Sequence, residues 1–239
     1  LVGRLGVGID NIDTEYCYSK KIRVQPATGM NADSVAEYVC TCSLLLIKKI
    51  SLFHKETLKG KWPRTSIISE ELKSKNLGII GYGSVGKKVS EYCSKIGLEV
   101  IVHDKYFKKF KRKNKFQLSS LSFLLKNSDI ISLHVPLNKE SKNLINKNSF
   151  TKMKKKPIII NTSRGSIINE KDLLNAYKKH LISGFVLDVF EKEPVQKKFL
   201  KNIKKDMNCI LTPHISGVTS QSNIRVSDFI VEKVIDFFN

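Results

Sequence analysis

Long apolar runs are absent from the sequence. Its longest mostly apolar stretches, residues 43–47 and 157–160, are far shorter than the roughly 20 residues that a membrane-spanning helix needs. No basic segment followed by an apolar one opens the chain, so no secretory leader is predicted. The sequence begins at Leu1 rather than at methionine, inside a glycine-rich segment, and we therefore expect a fragment that lacks its natural N-terminus.

Cysteines are few and follow no metal-binding pattern. The five of them are odd in number and include no Cys-x-x-Cys pair. Cys40 and Cys42 stand two positions apart on a predicted helix, which is too close for a usual zinc pair. A disulfide framework and a metal site are therefore not expected, and a reducing cytoplasm is the expected location.

Acidic residues are scarce beside basic ones, which gives the chain a formal net charge of +20. A charge of this size can indicate a nucleic-acid-binding protein. Only six of the 42 basic residues are arginine, whose planar fork is the one that pairs with guanine. We therefore interpret the charge as a lysine-rich surface that raises the encounter rate of anionic ligands, and nucleic acid is not an expected partner.

Short apolar runs alternate with helical patterns from about residue 75 onward. Several runs are continuous and rich in isoleucine and valine, as expected for parallel strands covered on both faces. This alternation predicts an α/β fold with a doubly wound parallel sheet. The predicted strands are residues 76–81, 99–104, 129–134, 157–163, 184–190 and 208–214, and the predicted helices between them are residues 84–96, 118–126 and 170–180, the last capped by Asn169.

Two long helices are predicted on either side of this alternating region. One covers residues 33–50, capped by Asp33 or Ser34, and the other covers residues 220–238. Both helices can cross from the main domain to a second domain. The chain is therefore expected to have three parts. Residues 1–27 are a remnant of the second domain, residues 28–219 are the main domain with the first crossover helix, and residues 220–239 are the C-terminal crossover helix. The last helix is expected to bury Ile224, Phe229, Ile230, Val234 and Phe237.

A GxGxxG motif at residues 81–86 joins the first predicted strand of the main domain to the helix after it. The strand–turn–helix context is the one that a dinucleotide-binding loop requires. Gly81 permits the tight turn, Gly83 lets the backbone approach a pyrophosphate, and Gly86 allows close packing of helix and strand. The N-terminus of the helix supplies free N–H groups for the phosphates.

Asp104 ends the next predicted strand, 18 positions after Gly86. An acid at this place accepts hydrogen bonds from the adenosine ribose and repels the extra phosphate of NADP. The expected cofactor is therefore NAD. Lys105, with Lys108 and Lys109 nearby, is the feature that would soften this preference.

Chemistry-bearing residues follow the last three predicted strands. Arg164, Glu193 and His214 each come after a different strand, and the carboxyl ends of parallel strands meet at the edge where ligands bind. Histidine can take a hydroxyl proton near neutral pH, a carboxylate can orient its imidazole, and arginine can bind a substrate carboxylate. Taken one at a time, Arg164 could form a surface ion pair, Glu193 could be a solvated acid in a loop, and His214 could cap a strand. Together they predict hydride chemistry at a 2-hydroxy acid.

These features resemble the D-isomer-specific 2-hydroxyacid dehydrogenase family, which includes phosphoglycerate, glycerate (hydroxypyruvate) and D-lactate dehydrogenases. The matching segments are GRLGVGIDNID (residues 3–13), TGMN (28–31), SVAE (34–37) and GKW (60–62), besides the motifs above. The resemblance implies a Rossmann-type NAD-binding domain with a remnant of a flavodoxin-like substrate domain. It also implies a homodimer whose interface includes the helix after Asp33.

The resemblance implies a role for each site residue. Arg164 would bind the substrate carboxylate and carbonyl, and His214, paired with Glu193, would donate or accept the proton. Backbone amides at Leu5 and Gly6 would help to hold the substrate carboxylate. The implied cofactor contacts are Gly81, Gly83, Ser84, Val85 and Gly86 at the pyrophosphate, Asp104 at the ribose, and Val7, Pro136, Thr162, Ser163 and Asp188 on the nicotinamide side.

Several readings remain open at this point. Glu193 stands where the formate dehydrogenase branch has glutamine, so that branch is disfavoured, and His103 and His134 are interpreted as structural. Trp62 is expected to serve packing or an interface. The resemblance implies that a segment before Leu1 supplies part of the substrate pocket, so this chain alone is expected to lack that part of the pocket.

The expected function is an NAD-dependent oxidoreductase that acts on a small anionic D-2-hydroxy acid. A phosphoglycerate-like substrate is favoured because the segment from Arg4 to Asp13 and the basic surface suit an anionic substrate. Glycerate or hydroxypyruvate, glyoxylate and sulfolactate are the alternatives. A second class is an NAD-sensing binding protein, because co-repressors of this fold family keep the same three residues. A nucleic-acid binder is a third class, for which the sequence offers no aromatic-basic module.

Overall fold

The computed structural model describes residues 1–107, 116–204 and 206–239. The first described residues form a small unit of their own. Strand β1 (Val2–Arg4) pairs in parallel with strand β2 (Val24–Pro26), and helix α1 (Thr14–Ser19) lies between them in the chain. The Asp13 side chain caps α1 by accepting a hydrogen bond from the backbone N–H of Tyr16. This pair of strands is separate from the main sheet.

The predicted helix at residues 33–50 is two helices in the structure. Helix α2 (Ala32–Ile47) ends early, because Lys49 takes a left-handed backbone conformation before helix α3 (Ile50–Leu58) begins. The predicted cap was also wrong. Asn31 is the N-cap residue, while the Asp33 carboxylate pairs with Lys88 at 3.0 Å.

Seven parallel strands form the main sheet, in the order β5-β4-β3-β6-β7-β8-β9. The chain runs outward from β3 to one edge and then returns to build the other half from β6, which is the doubly wound arrangement. The predicted fold class and all six predicted strands are confirmed, with each end either as predicted or up to three residues short of it. The strands are β3 (Asn76–Ile80), β4 (Glu99–His103), β5 (Gln117–Leu118), β6 (Ile130–Leu133), β7 (Ile158–Asn161), β8 (Gly184–Leu187) and β9 (Cys209–Leu211).

The edge strand β5 is a difference from the sequence prediction, which began a helix at residue 118. Leu118 instead pairs with Val102 of β4. The helix starts later because Ser120 caps it, its hydroxyl accepting a hydrogen bond from the N–H of Phe123. The helices of the main domain after α3 are α4 (Ser84–Lys95), α5 (Leu121–Asn127), α6 (Lys147–Lys152), α7 (Glu170–Lys178) and α8 (Lys197–Leu200).

Two apolar layers cover the main sheet, one on each face. Every residue of β6, β7 and β8 is buried, which explains their continuous apolar sequences. Helix α2 packs against α4 on one face, with Val39 and Val89 fully buried in that layer. Helix α7 covers the other face through Leu173, and Asn169 caps it as predicted. Each fully buried aliphatic side chain stabilises the fold by about 1.5–3 kcal/mol.

Helix α9 (Ser220–Phe238) returns to the small unit. Val226 and Ile230 are buried against Ala27 in a third apolar cluster, joined by the partly buried Phe229 and Val234. The predicted apolar face was therefore correct in part, but Ile224 is 61% exposed and Phe237 is 41% exposed. Among the described residues, no helix is both long enough and apolar enough to cross a membrane.

Candidate active site

The glycine loop after β3 has the geometry that its three glycines predict. Gly81 has a φ of +95°, and a Cβ there would lie 2.5 Å from the carbonyl oxygen of His134. A Cβ on Gly86 would lie 2.0 Å from the carbonyl oxygen of Gly81, so helix and strand touch at this point. Gly83 faces open space, since no heavy atom of the described residues lies within 4 Å of where its Cβ would stand.

The space at Gly83 lies at the N-terminus of α4, where Gly83 is the N-cap residue. The first N–H groups of an α-helix have no partner within the helix and carry partial positive charge. Ser84 and Val85 are the first two residues of that helix. The loop therefore fits the pyrophosphate of a dinucleotide, which would occupy the space that a Cβ on Gly83 would fill.

Asp104 follows β4 directly and keeps its charge. Burial alone would raise the pKa of this carboxyl, but backbone N–H groups at Tyr82, Tyr106 and Phe107 hold the pKa below its ordinary value. Tyr82 donates to Oδ2 at 2.7 Å, and Tyr106 and Phe107 donate to Oδ1 at 2.8 and 3.0 Å. A carboxylate has about four acceptor positions, so one remains for a ribose hydroxyl.

The lysines beside Asp104 were the reason to doubt a preference for NAD. Lys105 lies on the surface, and its ammonium contacts both carboxylate oxygens of Glu140, at 2.6 and 2.7 Å. This charge is therefore already paired and is not held for a ribose phosphate. Lys108 and Lys109 lie outside the described residues.

The turn after β7 holds a buried hydroxyl without a partner. Thr162 Oγ1 is inaccessible to solvent and makes no hydrogen bond among the described residues. The neighbouring Ser163 hydroxyl donates to Asn161 Oδ1 at 2.9 Å. An unpaired buried polar group costs about 1–3 kcal/mol, so the Thr162 hydroxyl suits a ligand group that binds there. Together with Gly83 and Asp104, it makes the residues of this domain fit NAD.

Asp188, expected on the nicotinamide side, is fully buried beneath the turn that carries His214. Its Oδ1 accepts hydrogen bonds from the Thr212 hydroxyl at 2.6 Å and from the Ile215 N–H at 2.8 Å. Its Oδ2 accepts from the Ser216 N–H at 2.8 Å, and its carbonyl accepts from the His214 N–H at 2.8 Å. The Asp188 carboxylate thus fixes the backbone of Ile215 and Ser216, which follow His214.

His214 and Glu193 form a hydrogen-bonded pair. His214 Nδ1 lies 2.9 Å from Glu193 Oε2, and Glu193 Oε1 accepts from the backbone N–H of Phe190 at 3.1 Å. The histidine has a φ of +58°, a strained conformation that Asp188 helps to hold. We assign the Nδ1 proton to the bond with Glu193, because a carboxylate can only accept. Nε2 is then free to exchange a proton with a ligand.

Arg164 follows β7, and both its backbone carbonyl and its guanidinium are hydrogen-bonded. The Asn161 amide donates to the Arg164 carbonyl at 2.9 Å. The guanidinium donates from Nε to Asp10 Oδ2 at 2.6 Å and from Nη1 to the Ser163 carbonyl at 2.6 Å. Next to it, a Cβ on Gly165 would lie only 1.8 Å from the backbone of Phe190. The turn that carries Arg164 therefore packs directly on the turn that leads to Glu193.

Arg164, Glu193 and His214 all line one cleft of about 390 Å³. The structure thus brings together the three residues that follow β7, β8 and β9. Four further lining residues come from the small unit, within the segment from Arg4 to Asp13 that was expected to suit an anionic substrate. These are Arg4, Gly8, Asp10 and Asn11.

Leu5 and Gly6, which were expected to hold the substrate carboxylate, do not line this cleft. The Gly6 N–H donates to the Arg4 carbonyl at 2.8 Å, and the Leu5 side chain is exposed. Val7 is half-buried, and the Pro136 carbonyl accepts a hydrogen bond from the Ser141 hydroxyl at 2.6 Å. Their expected contacts remain predictions.

The two histidines interpreted as structural are bonded within the fold. His103 Nδ1 lies 3.0 Å from the Ser119 carbonyl, and His134 Nε2 lies 2.9 Å from the Ser132 hydroxyl. Burial lowers the pKa of His134 to about 3, so this ring is neutral. Neither histidine lines the cleft that holds His214.

Comparisons with known proteins agree with this architecture. Residues 40–216 match the family model described as "D-isomer specific 2-hydroxyacid dehydrogenase, NAD binding domain". The chain is 37% identical over 235 residues to an (S)-sulfolactate dehydrogenase of Chromohalobacter salexigens, covering 98% of this chain and 75% of that protein. It is 35% identical over 238 residues to a D-3-phosphoglycerate dehydrogenase of Archaeoglobus fulgidus, covering 99% of this chain but only 45% of that protein.

A solved structure shows the same fold. The crystal structure of D-lactate dehydrogenase from Aquifex aeolicus, complexed with NAD and lactic acid, superposes with a TM-score of 0.89 at 34% identity. The superposition covers 98% of this chain and 74% of that one. The chain therefore belongs to the D-isomer-specific 2-hydroxyacid dehydrogenase family and contains the NAD-binding domain of that family.

Proposed function

We propose that the protein interconverts a small D-2-hydroxy acid and its 2-oxo acid, with NAD as the hydride carrier. The observation that carries this proposal is the meeting of a guanidinium and a histidine–carboxylate pair in one cleft, at the carboxyl ends of β7, β8 and β9. The family membership of the chain and its similarity to dehydrogenases of several 2-hydroxy acids support the same reaction class.

His214 moves the proton. Its Nε2 accepts the hydroxyl proton when the 2-hydroxy acid is oxidised and returns it when the 2-oxo acid is reduced. The Glu193 carboxylate, 2.9 Å from Nδ1, keeps the ring in the tautomer that leaves Nε2 unprotonated and stabilises the imidazolium that forms. Asp188 fixes the turn that carries the ring.

Arg164 binds and orients the substrate. Its unused N–H groups can take the carboxylate of the 2-hydroxy acid and polarise the 2-oxo group. The nicotinamide ring, when bound, supplies or accepts the hydride. The residues that would hold the cofactor are Gly83 and Ser84 at the pyrophosphate, Asp104 at the ribose and Thr162 near the ring.

The second arginine of the cleft favours a substrate with two anionic groups. Arg4 donates from Nε to the Gly8 carbonyl at 3.2 Å, and none of the ion pairs among the described residues includes it. Arg164, in contrast, already contacts Asp10. Arg4 is thus the cleft cation with an unneutralised charge, and a phosphate or sulfonate would neutralise it. A phosphoglycerate-like acid fits this arrangement, with sulfolactate as the second choice and glycerate or glyoxylate as the third.

The experiment that tests the substrate follows NADH absorbance with the full-length protein. Phosphohydroxypyruvate, sulfopyruvate, hydroxypyruvate, pyruvate and glyoxylate are offered in turn. We expect one of the doubly anionic acids to have the highest kcat/KM, and Arg4→Ala to reduce that value about tenfold or more while sparing pyruvate. Equal turnover of all five acids would contradict the assignment of Arg4. Tight NADH binding without any turnover would make an NAD-sensing protein the better account.

The small unit and α9 belong to a second, substrate-binding domain in this proposal, as residues 1–27 and 220–239. Two supports are the separate β1–β2 sheet and the cluster of Ala27, Val226 and Ile230 that ties α9 to it. The cytoplasm remains the proposed location, because all five cysteines are free thiols, as a reducing compartment favours.

A second copy of the chain is the proposed partner of α2 and α3. Helix α3 has no buried residue, and large apolar side chains are exposed on it and just beyond it. Leu58 is 74% exposed and Trp62 is 81% exposed, so Trp62 does not serve packing within the chain. A homodimer would bury this surface.

A further inference from the structure

One contact at the cleft joins the small unit to the main domain across 154 positions of sequence. Asp10 Oδ2 accepts a hydrogen bond from Arg164 Nε at 2.6 Å. The two side chains are only partly shielded, since 29% of Arg164 and 43% of Asp10 are exposed. A charge-assisted hydrogen bond of this length is among the stronger polar contacts, although solvent weakens it here.

Gly8 provides the room that this contact requires. A Cβ on Gly8 would lie 1.5 Å from Arg164 Nη2 and 2.8 Å from Cζ. The guanidinium therefore rests directly on the backbone of Gly8, and any side chain at this position would displace it. The clash involves only the end of a long side chain, so such a displacement would alter the site far more than the fold.

The two polar contacts of the guanidinium leave its remaining donors to the cleft. An arginine side chain has five N–H donors in a rigid fork. Asp10 uses the one on Nε, and the Ser163 carbonyl uses one on Nη1. The other donors, on Nη1 and Nη2, stay available for a carboxylate, which a fork of this shape binds in bidentate fashion.

We infer that Asp10 is a positioning residue: by holding Nε of Arg164 against Gly8, it aims the free edge of the guanidinium at the substrate carboxylate. This inference rests on the proposed function. The negative charge of Asp10 has a second, opposite effect, because it repels an anionic substrate. The hydrogen bond and the charge can be separated, since asparagine keeps an acceptor oxygen and lacks the charge.

The test measures the affinity of oxamate, which has a carboxylate beside a carbonyl, for the NADH complex of the full-length protein by calorimetry. Asp10→Ala should weaken oxamate binding about tenfold, because the guanidinium is no longer aimed. Asp10→Asn should bind oxamate at least as tightly as the wild type. Gly8→Ala should lose binding as fully as Arg164→Ala, with an unchanged thermal midpoint. The control is Glu15→Ala, which removes an exposed charge from the same segment and should behave as the wild type.

Two results would overturn the inference. One is an Asp10→Ala variant that binds oxamate like the wild type. The other is an Asp10→Asn variant that loses as much affinity as Asp10→Ala, since the charge and not the hydrogen bond would then matter.

A second readout separates this inference from the proposed function. The Nε–H proton of Arg164 should give a ¹⁵N NMR signal that is protected from exchange, is absent in Arg164→Lys and is lost in Asp10→Ala but kept in Asp10→Asn. The Arg164→Lys variant identifies this signal among those of the other arginines. If the wild-type NADH complex binds no oxamate, the proposed function fails while the NMR signal still decides the role of Asp10. An Nε–H signal equally protected in Asp10→Ala contradicts that role.

Discussion

Replacing Gly83 with alanine should separate cofactor binding from folding. The new methyl group enters open space, because no heavy atom in the described part of the chain lies within 4 Å of its position, and a φ of −76° with ψ of −159° suits alanine. Two small effects on stability oppose each other. Alanine is a poorer N-cap residue than glycine by about 0.5–1 kcal/mol, and it removes about 0.4–1 kcal/mol of unfolded-state entropy. The free energy of unfolding should therefore change by less than about 0.5 kcal/mol.

Cofactor affinity should change far more in Gly83→Ala. The methyl group would stand where the pyrophosphate approaches the backbone, and we expect NADH to bind at least tenfold more weakly, which is about 1.4 kcal/mol. The matched variant is Gly86→Ala, whose methyl group would lie 2.0 Å from the Gly81 carbonyl oxygen. That overlap is with backbone and should cost about 2 kcal/mol of stability, or roughly 4–8 °C in the thermal midpoint.

The assay combines chemical denaturation without cofactor and NADH titration followed by fluorescence, for both variants and the wild type. Weak NADH binding in a Gly83→Ala protein of ordinary stability is the expected result. If Gly83→Ala bound NADH like the wild type, the pyrophosphate would not approach Gly83, and the placement of the cofactor would be refuted.

Three further predictions follow from the site and the surface. Glu193→Gln keeps a hydrogen bond to the His214 ring but loses the charge that stabilises imidazolium, so steady-state kinetics should show kcat reduced about 100-fold with a smaller change in KM; an unchanged kcat would exclude the pair. His134 has a folded pKa of about 3 against about 6.5 unfolded, so protons favour the unfolded state and stability is lost as pH falls below 6.5. Because some of the residue is accessible, His134→Gln should remove about 1–2 kcal/mol of the loss between pH 7 and 5 in urea titrations, and parallel pH profiles would contradict this. The proposed homodimer predicts a dimer mass for the wild type and a monomer mass for Trp62→Lys in light scattering; a monomeric wild type would contradict the dimer, and a dimeric variant would place the interface elsewhere.

The sheet was predictable because burial on both faces requires continuous apolar runs, and these runs stand out in the sequence. Strand β5 was not predictable, since its two residues at the edge of the sheet are too few to show a periodic pattern. The break between α2 and α3 at Lys49 was not predictable either, because no glycine or proline stands there to indicate the end of a helix. Ile224 and Phe237 were predicted to lie on the buried face of α9 and are exposed. Helical periodicity alone does not say which part of a helix is covered by its neighbours.

The candidate site was predictable where chemistry and chain position coincide. Arg164 and His214 each follow a strand, so sheet topology alone places them at one edge. The segment from Arg4 to Asp13 was predicted to suit an anionic substrate, but the contact of Asp10 with Arg164 was not predicted, because no spacing rule connects residues more than 150 positions apart. The hydrogen bonds of Asp188 to the turn that carries His214 were not predicted, since the sequence gives the residue type but not the direction of its side chain.

The most direct test of the account is the fate of the transferred hydride. NADH with deuterium at both C4 positions is supplied to the full-length protein with the preferred 2-oxo acid, and the product is analysed by mass spectrometry and chiral chromatography. The account predicts a D-2-hydroxy acid with deuterium at C2, and no such product from His214→Ala. A product without deuterium at C2, or one of the L configuration, would contradict it.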